Sequence, residues 1–366
     1  MPTDDLAFPL LAGDVADARD LHLPVPVEGV DRQRRLRVGF ISTPPTIGSG
    51  GHTTMFRMAT ALEAAGHACT LFLYDRYGGD VRQHERAVRA GWPAMRARVM
   101  DAASGITGVD ACIASGWPTA HVLATRGVSP MRRFYFVQDF EPYFYAHGSE
   151  YALAEDTYRF GFHCITIGQW LADQLKQRAD IDADVITFGC DHDTYHLQPA
   201  GERRGVVFYA RPGAPRRGYM LGMLALQELH RRRPGVEIHL IGAPGVTPPF
   251  PAVTHGKVTP SELSSLYNRV VAGLVLSFTN MSLVPDELLA CGVVPVLNDM
   301  ENRSDIASDA VRWATPTVLG ITEALIEVLD SPPSPGVIAA TARTTGWSPA
   351  EAEFVRVVED ETYKSR

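Results

Sequence analysis

Apolar runs alternate with amphipathic stretches in two successive blocks of this chain. The first block has an apolar run at 36–42, a Pro- and Gly-rich loop at 43–51, a helical pattern at 52–65 and a second apolar run at 68–75. This alternation is typical of a parallel βαβ unit. Further apolar runs predict strands at 111–115, 134–138, 163–167 and 185–188, with helical stretches between them.

A second block begins after a polar stretch at 196–204. Its pattern predicts strands at 206–210, 236–241, 273–277 and 293–297 and helices at 219–232, 260–268 and 284–291. A last amphipathic helix is expected at 347–361, since Ser348-Pro349 is a helix start signal. We therefore expect an α/β protein with an N-terminal arm at 1–35, a Rossmann-like domain at 36–200, a second at 201–345 and a C-terminal helix within 346–366.

The composition agrees with two compact domains and argues against some classes of binding partner. A chain of 366 residues with 45% hydrophobic content is long enough for two cores. The net charge of −8 argues against nucleic acid as the main partner, because binding phosphates calls for a basic surface. The five cysteines are widely spaced and include no C-x-x-C pair, so we expect reduced core residues. No metal site is predicted.

The first eight residues are acidic where a signal peptide would be basic. No apolar run approaches the roughly 20 residues that a membrane-spanning helix needs. We therefore expect a soluble, cytoplasmic protein. Peripheral contact with a membrane surface stays open, because a basic or amphipathic face can be assembled in three dimensions from scattered residues.

The segment 282–297 combines a polar helix start with a small-residue helix and a buried strand. Ser282, Leu283 and Val284 open the helix, whose first backbone N–H groups can hold phosphate. Glu287, about one turn further on, can accept hydrogen bonds from the diol of a ribose. This composition favours a nucleotide-sugar site. An amphipathic helix that ends at Gly292 and leads into a core strand would have the same pattern.

The glycine-rich loop Gly48-Ser49-Gly50-Gly51-His52 suggests a dinucleotide site at first, because Asp75 ends the following strand. A G-x-G-x-x-G motif that begins at Gly48 needs glycine at the position of Thr53, so the spacing does not fit an NAD site. The glycines instead favour close approach of the backbone to a sugar or diphosphate. A plain flexible loop is the alternative.

Three arginines follow the strand predicted at 206–210. Arg211, Arg216 and Arg217 lie in a Pro- and Gly-rich loop at the carboxyl end of that strand, where ligands of open α/β sheets bind. Guanidinium groups at this place can neutralise a diphosphate. The alternative is a solvated basic loop.

An aromatic and acidic block at 134–145 follows another strand. Asp139, Glu141 and Tyr143 lie in it, and carboxylates beside aromatic rings suit a carbohydrate. The carboxylates accept hydrogen bonds from hydroxyls while the rings cover the apolar faces of the sugar. A packed loop between domains is the alternative.

From Leu36 onward the chain resembles the retaining glycosyltransferases of family 4. Five separate places carry the resemblance: Gly50-Gly51 through Leu62, Gly66 and His67; Phe188-Gly189-Cys190-Asp191 with Tyr195 and Pro199; Arg211 with Arg216; His255-Gly256-Lys257-Val258 with Glu262-Leu263 and Leu266-Tyr267; and Glu287. The resemblance implies the GT-B fold, in which two Rossmann-like domains face a central cleft. It also implies that the C-terminal helix returns to the N-terminal domain.

The resemblance assigns roles to individual residues. Arg211 and Arg216 would bind the donor diphosphate and act in catalysis, and Glu287, at the second Glu of the family's E-x7-E motif, would bind the ribose. The other donor-site residues it implies are Gly50, Gly51, His52, Gln138, Lys257, Val258, Thr279, Ser282, Leu283 and Val284. Asp139, Glu141 and Tyr143 are expected near the acceptor. No metal and no cofactor are implied.

A more specific resemblance, in the block 137–161, bears on the identity of the donor sugar. The block 137–161 looks similar to rhamnosyltransferases that build bacterial surface and S-layer rhamnan glycans, which implies a dTDP-rhamnose donor. Two positions depart from the family pattern. Thr279 replaces the first Glu of the motif, and Gln138 replaces a His that often contacts the 6-hydroxyl of the donor sugar. Because rhamnose is a 6-deoxy sugar, such a His would have no hydroxyl to contact.

The expected activity is retaining transfer of a sugar, rhamnose in the first instance, to a saccharide or glycoconjugate. Transfer from a UDP- or GDP-linked sugar, or to a small-molecule natural product, is an alternative. A nucleotide-sugar epimerase of the same shape and a non-catalytic sugar-nucleotide-binding subunit are two others.

Overall fold

A computed structural model describes residues 8–26, 30–199, 201–300, 303, 306 and 308–364. They form two compact units. The first unit contains the chain up to Thr187 together with the C-terminal segment from Pro349, and the second unit is Phe188–Ser348. Within the described residues, no helix is long and apolar enough to cross a bilayer.

The first unit is built on a parallel sheet of seven strands. They are β1 (Arg37–Ser42), β2 (Ala68–Leu73), β3 (Arg98–Asp101), β4 (Ala111–Ala114), β5 (Arg132–Val137), β6 (His163–Ile167) and β7 (Ala183–Ile186), in the order β3-β2-β1-β4-β5-β6-β7. Its helices are α1 (Gly50–Ala64), α2 (Val81–Gly91), α3 (Trp117–Arg126), α4 (Ser149–Asp156) and α5 (Gln169–Ala179). The five inner strands are mostly buried, as expected of a parallel sheet that is covered on both faces, whereas the edge strands β3 and β7 are partly exposed.

The second unit repeats this architecture with six parallel strands. They are β8 (Val206–Tyr209), β9 (Ile238–Ile241), β10 (Val253–Thr254), β11 (Ala272–Val275), β12 (Val294–Asn298) and β13 (Arg312–Ala314), in the order β10-β9-β8-β11-β12-β13. Its helices are α6 (Tyr219–Arg232), α7 (Pro260–Tyr267), α8 (Val284–Ala290), α9 (Val318–Asp330) and α10 (Pro335–Ala339). The helix α8 packs tightly on β11 because Gly273 has no side chain, and a Cβ there would collide with Leu288.

The last helix, α11 (Ser348–Tyr363), packs against the first unit. The ring of Phe354 lies 5.2 Å from the ring of Phe136 on β5, and the carboxylate of Glu359 is 2.8 Å from Nε2 of His67. The apolar face of this helix therefore packs against the first unit, as the family resemblance implied.

The N-terminal segment is part of the first unit instead of a separate arm. Leu10 and Asp14 are buried, and the Asp14 carboxylate accepts hydrogen bonds from Tyr74 (2.8 Å) and from Arg126 (2.7 and 2.9 Å). The predicted boundary at residue 200 also differs from the structure. The second unit starts earlier, at Phe188, because Cys190 and Tyr195 are buried in its core.

Candidate functional site

Each sheet has one point at which the strand order reverses direction. It lies between β1 and β4 in the first unit and between β8 and β11 in the second. The loops that leave the carboxyl ends of the two neighbouring strands diverge there to opposite faces of the sheet and leave a crevice, which is where open α/β sheets bind ligands. The predicted site residues at 50–52, 211–216 and 279–287 follow β1, β8 and β11, whereas those at 138–143 follow β5 and Lys257 and Val258 follow β10.

In the first unit, Gln138 joins two loops at the reversal point. Its side-chain Nε2 donates to the backbone oxygen of Gly51, at 3.0 Å, and to Oγ of Ser115, at 2.6 Å. Gly51 follows β1, Ser115 ends the run of β4, and Gln138 follows β5. Ser115 was not among the predicted site residues, although its place at the end of the strand predicted at 111–115 could have indicated it.

His52 lies in the first turn of α1, beside the same loop. Its Nδ1 is 2.9 Å from Oγ of Ser49, the residue that caps α1. Its ring lies near the rings of Phe56 (6.1 Å) and Trp92 (6.5 Å), and burial lowers the pKa of His52. The imidazole is therefore neutral at neutral pH and can accept or donate one hydrogen bond without bringing a charge.

The three predicted acceptor residues are engaged with the first unit itself. Asp139 is buried and its Oδ1 accepts from the backbone N–H of Phe140 at 3.0 Å. The Glu141 carboxylate accepts from the backbone N–H of Trp117, the first residue of α3. This contact satisfies a free donor at the start of that helix, so Glu141 has a structural role in the packed loop.

Tyr143 stacks with an arginine in the same block. Arg178 on α5 lies 5.2 Å above the ring of Tyr143 and donates to its hydroxyl oxygen. The same guanidinium lies 5.4 Å from the ring of Phe140. The aromatic block is thus largely packed, and Tyr143 remains half-exposed at its margin.

In the second unit, Arg217 joins the two loops at the reversal point. Its Nη1 donates to Oγ of Ser277, at 2.6 Å, and to the backbone oxygen of Asn280, at 3.0 Å. The backbone N–H of Phe278 also donates to the carbonyl of Arg216, at 2.8 Å. The loop after β8 is therefore held against the loop that leads from β11 to α8.

The other two arginines of this loop are placed differently. The Arg211 guanidinium lies 4.9 Å above the ring of Tyr209 and donates to its hydroxyl at 3.2 Å. Arg216 is half-exposed, and its backbone makes the contact to Phe278. The sequence alone does not distinguish Arg216 from its neighbour Arg217. In the structure, the short 3-10 turn Pro215–Arg217 directs the Arg217 side chain to the 277–280 loop.

Thr279 occupies the centre of that loop and has no exposed surface. The loop is fixed from β12, since Asn298 exchanges two 2.8 Å hydrogen bonds with the backbone of Ser277. A donor contact by the Thr279 side chain, which the sequence suggested, is therefore not supported by this arrangement. The residue supports the loop from inside.

Glu287 has a carboxylate without a hydrogen-bond or ion-pair partner in the described part of the chain. Burial of this group raises its pKa to about 8, and the charges of Asp286 and Asp191 contribute in the same direction. Asp286 itself is paired with Arg343 at 3.5 Å. An acid in this state can accept hydrogen bonds from a diol that enters the site, and it lacks an internal partner that would compete.

A small cavity lies beside the helix that carries Glu287. It is lined by Tyr209, Ile241 and Val275 at the carboxyl ends of three strands, by Tyr267 of α7 and by Val284 of α8. The hydroxyl of Tyr267 is fully buried and has no hydrogen-bond partner among the described residues. The cavity therefore combines apolar walls with one buried hydroxyl, that of Tyr267, whose hydrogen-bonding capacity is unused.

The remaining predicted donor residues flank this region. Ser282 Oγ accepts from the backbone N–H of Val284, at 3.4 Å, at the start of α8, and Leu283 precedes that helix. Lys257 is exposed and Val258 half-buried in the loop after β10. That loop is tied to the loop after β9, because the N–H of Gly242 donates to the carbonyl of Gly256 at 3.2 Å.

A wider groove in the second unit lies at the opposite edge of the sheet. Leu197, Pro335 and the residues at the starts of β11 and β12 line it. It lies away from the reversal point, and it contains none of the predicted site residues. We therefore place the candidate site at the reversal point.

Comparison with known proteins matches both halves of the chain to one family. Residues 96–169 match the model of the WsaF N-terminal domain, and residues 204–326 match the model of the WsaF C-terminal domain. The O-antigen biosynthesis protein RfbC of Myxococcus xanthus is 32% identical over 265 residues, which are 68% of this chain and 20% of RfbC. The chain thus spans about a fifth of the length of that relative.

Solved structures show the fold at low sequence identity. Sucrose-phosphate synthase of Thermosynechococcus elongatus has a TM-score of 0.67 and 12% identity, with 89% of this chain and 99% of that chain covered. HepE of Anabaena, in complex with UDP and glucose, has a TM-score of 0.63 and 13% identity, with 90% and 96% covered. The predicted GT-B fold with two Rossmann-like domains is confirmed.

Proposed function

We propose that this chain, which matches both WsaF domain models and has the GT-B fold, is a glycosyltransferase that takes its sugar from a nucleotide-sugar donor. The observation that carries the proposal is the unpaired carboxylate of Glu287 in the same unit as the arginine-bearing loop after β8. A carboxylate for a ribose and guanidinium groups for a diphosphate are the two recognition elements that a nucleotide-sugar needs.

The donor residues are assigned by charge and position in the second unit. Glu287 accepts hydrogen bonds from the ribose hydroxyls. Arg211 and Arg216 bind the diphosphate, and Arg217 adds positive charge while holding the loop before α8. Ser282, Leu283 and Val284 lie beside the phosphates, and Lys257 and Val258 lie on the side of the nucleobase.

The reaction follows from these charges. A hydroxyl oxygen of the acceptor forms a bond to the anomeric carbon, and the bond from that carbon to the diphosphate oxygen breaks. The acceptor proton moves to the departing diphosphate oxygen, so attack occurs on the face of the leaving group and the anomeric configuration is retained. Arg211 and Arg216 stabilise the negative charge that develops on the diphosphate, which is the role of a divalent ion in other transferases.

We infer dTDP-rhamnose as the donor and a saccharide or glycoconjugate as the acceptor. Both N–H bonds of Gln138 are directed to Gly51 and Ser115, so this side chain has no N–H to offer to a sugar 6-hydroxyl. A 6-deoxy sugar does not need one. The WsaF matches and the name of RfbC, an O-antigen biosynthesis protein, also support a role in polysaccharide assembly.

The first unit supplies the remaining groups in this proposal. Gly50, Gly51 and His52 lie at the reversal point of its sheet, where backbone can approach a sugar closely. Asp139, Glu141 and Tyr143 stay candidates for the acceptor side. Because Glu141 is occupied by the start of α3, we assign it to the support of the acceptor loop instead of a direct contact.

A thermal-shift panel of dTDP-, UDP- and GDP-sugars tests the donor class, because at a given concentration a tighter ligand stabilises the folded protein more and raises its melting temperature further. We expect stabilisation by dTDP-rhamnose, and loss of it in Glu287→Ala and Arg211→Ala. Arg231→Ala, on the exposed side of α6, is the control. Stabilisation by UDP-glucose alone would contradict the rhamnosyl assignment.

Product analysis separates the alternatives to transfer. Incubation with the sugar nucleotide alone would produce an epimerised nucleotide if the protein were an epimerase, and no turnover of any kind if it were a binding subunit. We expect a glycosylated product with an acceptor sugar present, and retention of configuration in its anomeric NMR signal. A product with the inverted configuration would exclude the proposed mechanism.

A further inference from the structure

Tyr209 is the last residue of β8, and its ring lies under the guanidinium of Arg211. The central carbon of the guanidinium is 4.9 Å from the centroid of the ring, and Nη2 donates to the hydroxyl oxygen of Tyr209 at 3.2 Å. Tyr209 was not among the residues that the sequence predicted for the site. In the structure Arg211 has two contacts with this one side chain, one with the ring and one with the hydroxyl.

The backbone places these two side chains on the same side of the strand. Ala210 lies between them and continues the ladder, because its N–H donates to the carbonyl of Ile241 at 2.7 Å. In an extended backbone, residues two positions apart point to the same face of the sheet. The strand itself therefore brings Arg211 next to Tyr209.

The ring of Tyr209 is held in place by the second unit. It is half-buried and packs against the core of that unit. Its Cε1 and Cζ are 3.8 Å from the position that a Cβ on Gly242 would occupy, and it lines the small cavity beside α8 together with Tyr267 and Val284. The side chain under Arg211 is therefore a fixed surface and not a second flexible group.

The guanidinium of Arg211 keeps its charge and most of its hydrogen-bonding capacity. It forms no ion pair with an acidic side chain in the described part of the chain. A guanidinium has five N–H bonds, and the contact with the Tyr209 hydroxyl uses one of them. The remaining N–H groups can bind a phosphate, which takes two of them at once in the bidentate geometry.

We propose that Tyr209 is a positioning residue, which holds the guanidinium of Arg211 in the orientation that binds the diphosphate of the donor. An arginine side chain that rotates freely loses conformational entropy when it binds, and contacts that fix it beforehand reduce this loss. A charge that is already oriented also stabilises developing negative charge without further rearrangement. This role rests on the proposed function, in which Arg211 binds that diphosphate.

Calorimetric titration with dTDP and with dTMP tests the proposal, because the two nucleotides differ only in the terminal phosphate. UDP and UMP take their place if the wild type prefers uridine nucleotides. Tyr209→Leu removes the ring and the hydroxyl, so the Kd of dTDP should rise about 10-fold and that of dTMP by about twofold or less. Tyr209→Phe keeps the ring, and its Kd for dTDP should rise only about threefold. Equal weakening of dTDP and dTMP would mean that Tyr209 supports the fold of the site in general, and the positioning role would be wrong.

A double-mutant cycle shows whether Tyr209 acts through Arg211. Arg211→Ala should weaken dTDP binding more than Tyr209→Leu does, and Tyr209→Leu should have no further effect when Arg211 is already alanine. Losses that add in the double variant would mean that Tyr209 contacts the nucleotide directly, against the proposal.

The cycle also separates the positioning role from the proposed function. If Arg211→Ala binds dTDP weakly and Tyr209→Leu binds it as the wild type does, the positioning role is wrong and the proposed function stands. If Arg211→Ala itself binds dTDP as the wild type does, the assignment of Arg211 to the diphosphate is wrong, and the role of Tyr209 fails with it.

The matched control is Trp313→Leu. Trp313 lies on the edge strand β13, away from the reversal point of the sheet, and the guanidinium carbon of Arg303 is also 4.9 Å from its ring. This variant loses an equivalent contact and should bind dTDP as the wild type does. Equal losses in Trp313→Leu and Tyr209→Leu would overturn the proposal. Melting curves confirm that each variant is folded.

An NMR measurement without nucleotide tests the orientation of the guanidinium itself. The ring current of Tyr209 shifts the signal of the proton on Nε of Arg211, and Arg211→Lys identifies this signal by removing it. We expect the signal to move in Tyr209→Leu and to stay near its wild-type position in Tyr209→Phe and Trp313→Leu. An unchanged signal in Tyr209→Leu would overturn the positioning role even if dTDP binding were weaker.

Discussion

The guanidinium of Arg217 donates a 2.6 Å hydrogen bond to the hydroxyl of Ser277, and this contact joins the loops that follow β8 and β11. Gly218 tightens the same junction, because its missing side chain lets the backbone approach Leu276 and Phe278. The positive φ of 61° at Gly218 also suits glycine. The arginine-bearing loop and the segment before Glu287 are thus held as one structural element within the second unit.

Replacement of Arg217 should impair both transfer and stability, whereas replacement of Arg216 should act mainly on transfer. Each change removes a positive charge from the proposed diphosphate site, and we expect kcat/KM to fall by about 100-fold or more, as for the loss of a preorganised electrostatic group. Arg217→Ala also removes the bonds to Ser277 and Asn280, so it should lower the free energy of unfolding by about 1–3 kcal/mol. Arg216→Ala keeps its backbone contact to Phe278 and should lose less stability. Steady-state kinetics with the donor identified by thermal shift, together with urea unfolding, measures both effects, and an unchanged kcat/KM in Arg216→Ala would contradict its proposed role at the diphosphate.

The stability of the protein should depend on pH through Glu287. Its pKa is raised to about 8, above the value of about 4.3 in an unfolded chain. Below about pH 4.3 the carboxyl is protonated in both the folded and the unfolded chain, so it does not make the free energy of unfolding depend on pH. Between the two values only the unfolded chain releases the proton, so the free energy of unfolding falls as pH rises.

Glu287→Gln should remove this penalty. We expect the free energy of unfolding of the variant, relative to that of the wild type, to be higher at pH 8 than at pH 5 by about 2 kcal/mol. The difference is limited because the half-buried position leaves part of the charge solvated. Urea unfolding at the two pH values measures the difference. A gain that is the same at both pH values would mean that packing, and not ionisation, is responsible.

Donor binding should depend on the same ionisation. An ionised Glu287 accepts two hydrogen bonds from a ribose diol, whereas the protonated form keeps one oxygen as a donor. The affinity for the nucleotide should therefore rise between pH 6 and pH 8, with release of a proton. Calorimetry in two buffers of different ionisation enthalpy measures that proton. Glu287→Gln should bind more weakly and without proton release, and persistent release in this variant would assign the proton to another group.

In the second unit the backbone at Gly189 crosses the backbone at Gly346 and Trp347 so closely that residue 189 should not tolerate a side chain. A Cβ on Gly189 would lie 2.6 Å from the carbonyl carbon and oxygen of Gly346 and from Cα of Trp347, all of which are backbone atoms. The N–H of Cys190 also donates to the carbonyl of Thr345 at 3.3 Å. Gly189→Ala should therefore lower the free energy of unfolding by about 1–3 kcal/mol.

Gly235→Ala is the matched control for that change, because a Cβ at Gly235 meets nothing within 4 Å. Its unfolding by urea should be within about 0.5 kcal/mol of the wild type, as for other surface substitutions. If both variants unfold alike, the segments at Gly189 can separate without loss of stability.

Local periodicity was sufficient for most of the fold. The apolar runs at 36–42 and 206–210 correspond to β1 and β8, and the helix predicted at 284–291 is α8 with Glu287 in its first turn. Such elements are specified by neighbouring residues in the chain. The strands β3, β10 and β13 were not predicted, because they are short and partly exposed and so show no apolar run.

The contacts inside the candidate site were decided by the tertiary structure. The Glu141 carboxylate binds the backbone of Trp117, 24 positions away, and Arg217 binds Ser277, 60 positions away. The sequence by itself determined which residue types reach the carboxyl ends of the strands, because strand and helix periods are local. Which of them face a ligand and which are used within the protein depends on side-chain directions and distant partners, and those are set only when both sheets are assembled.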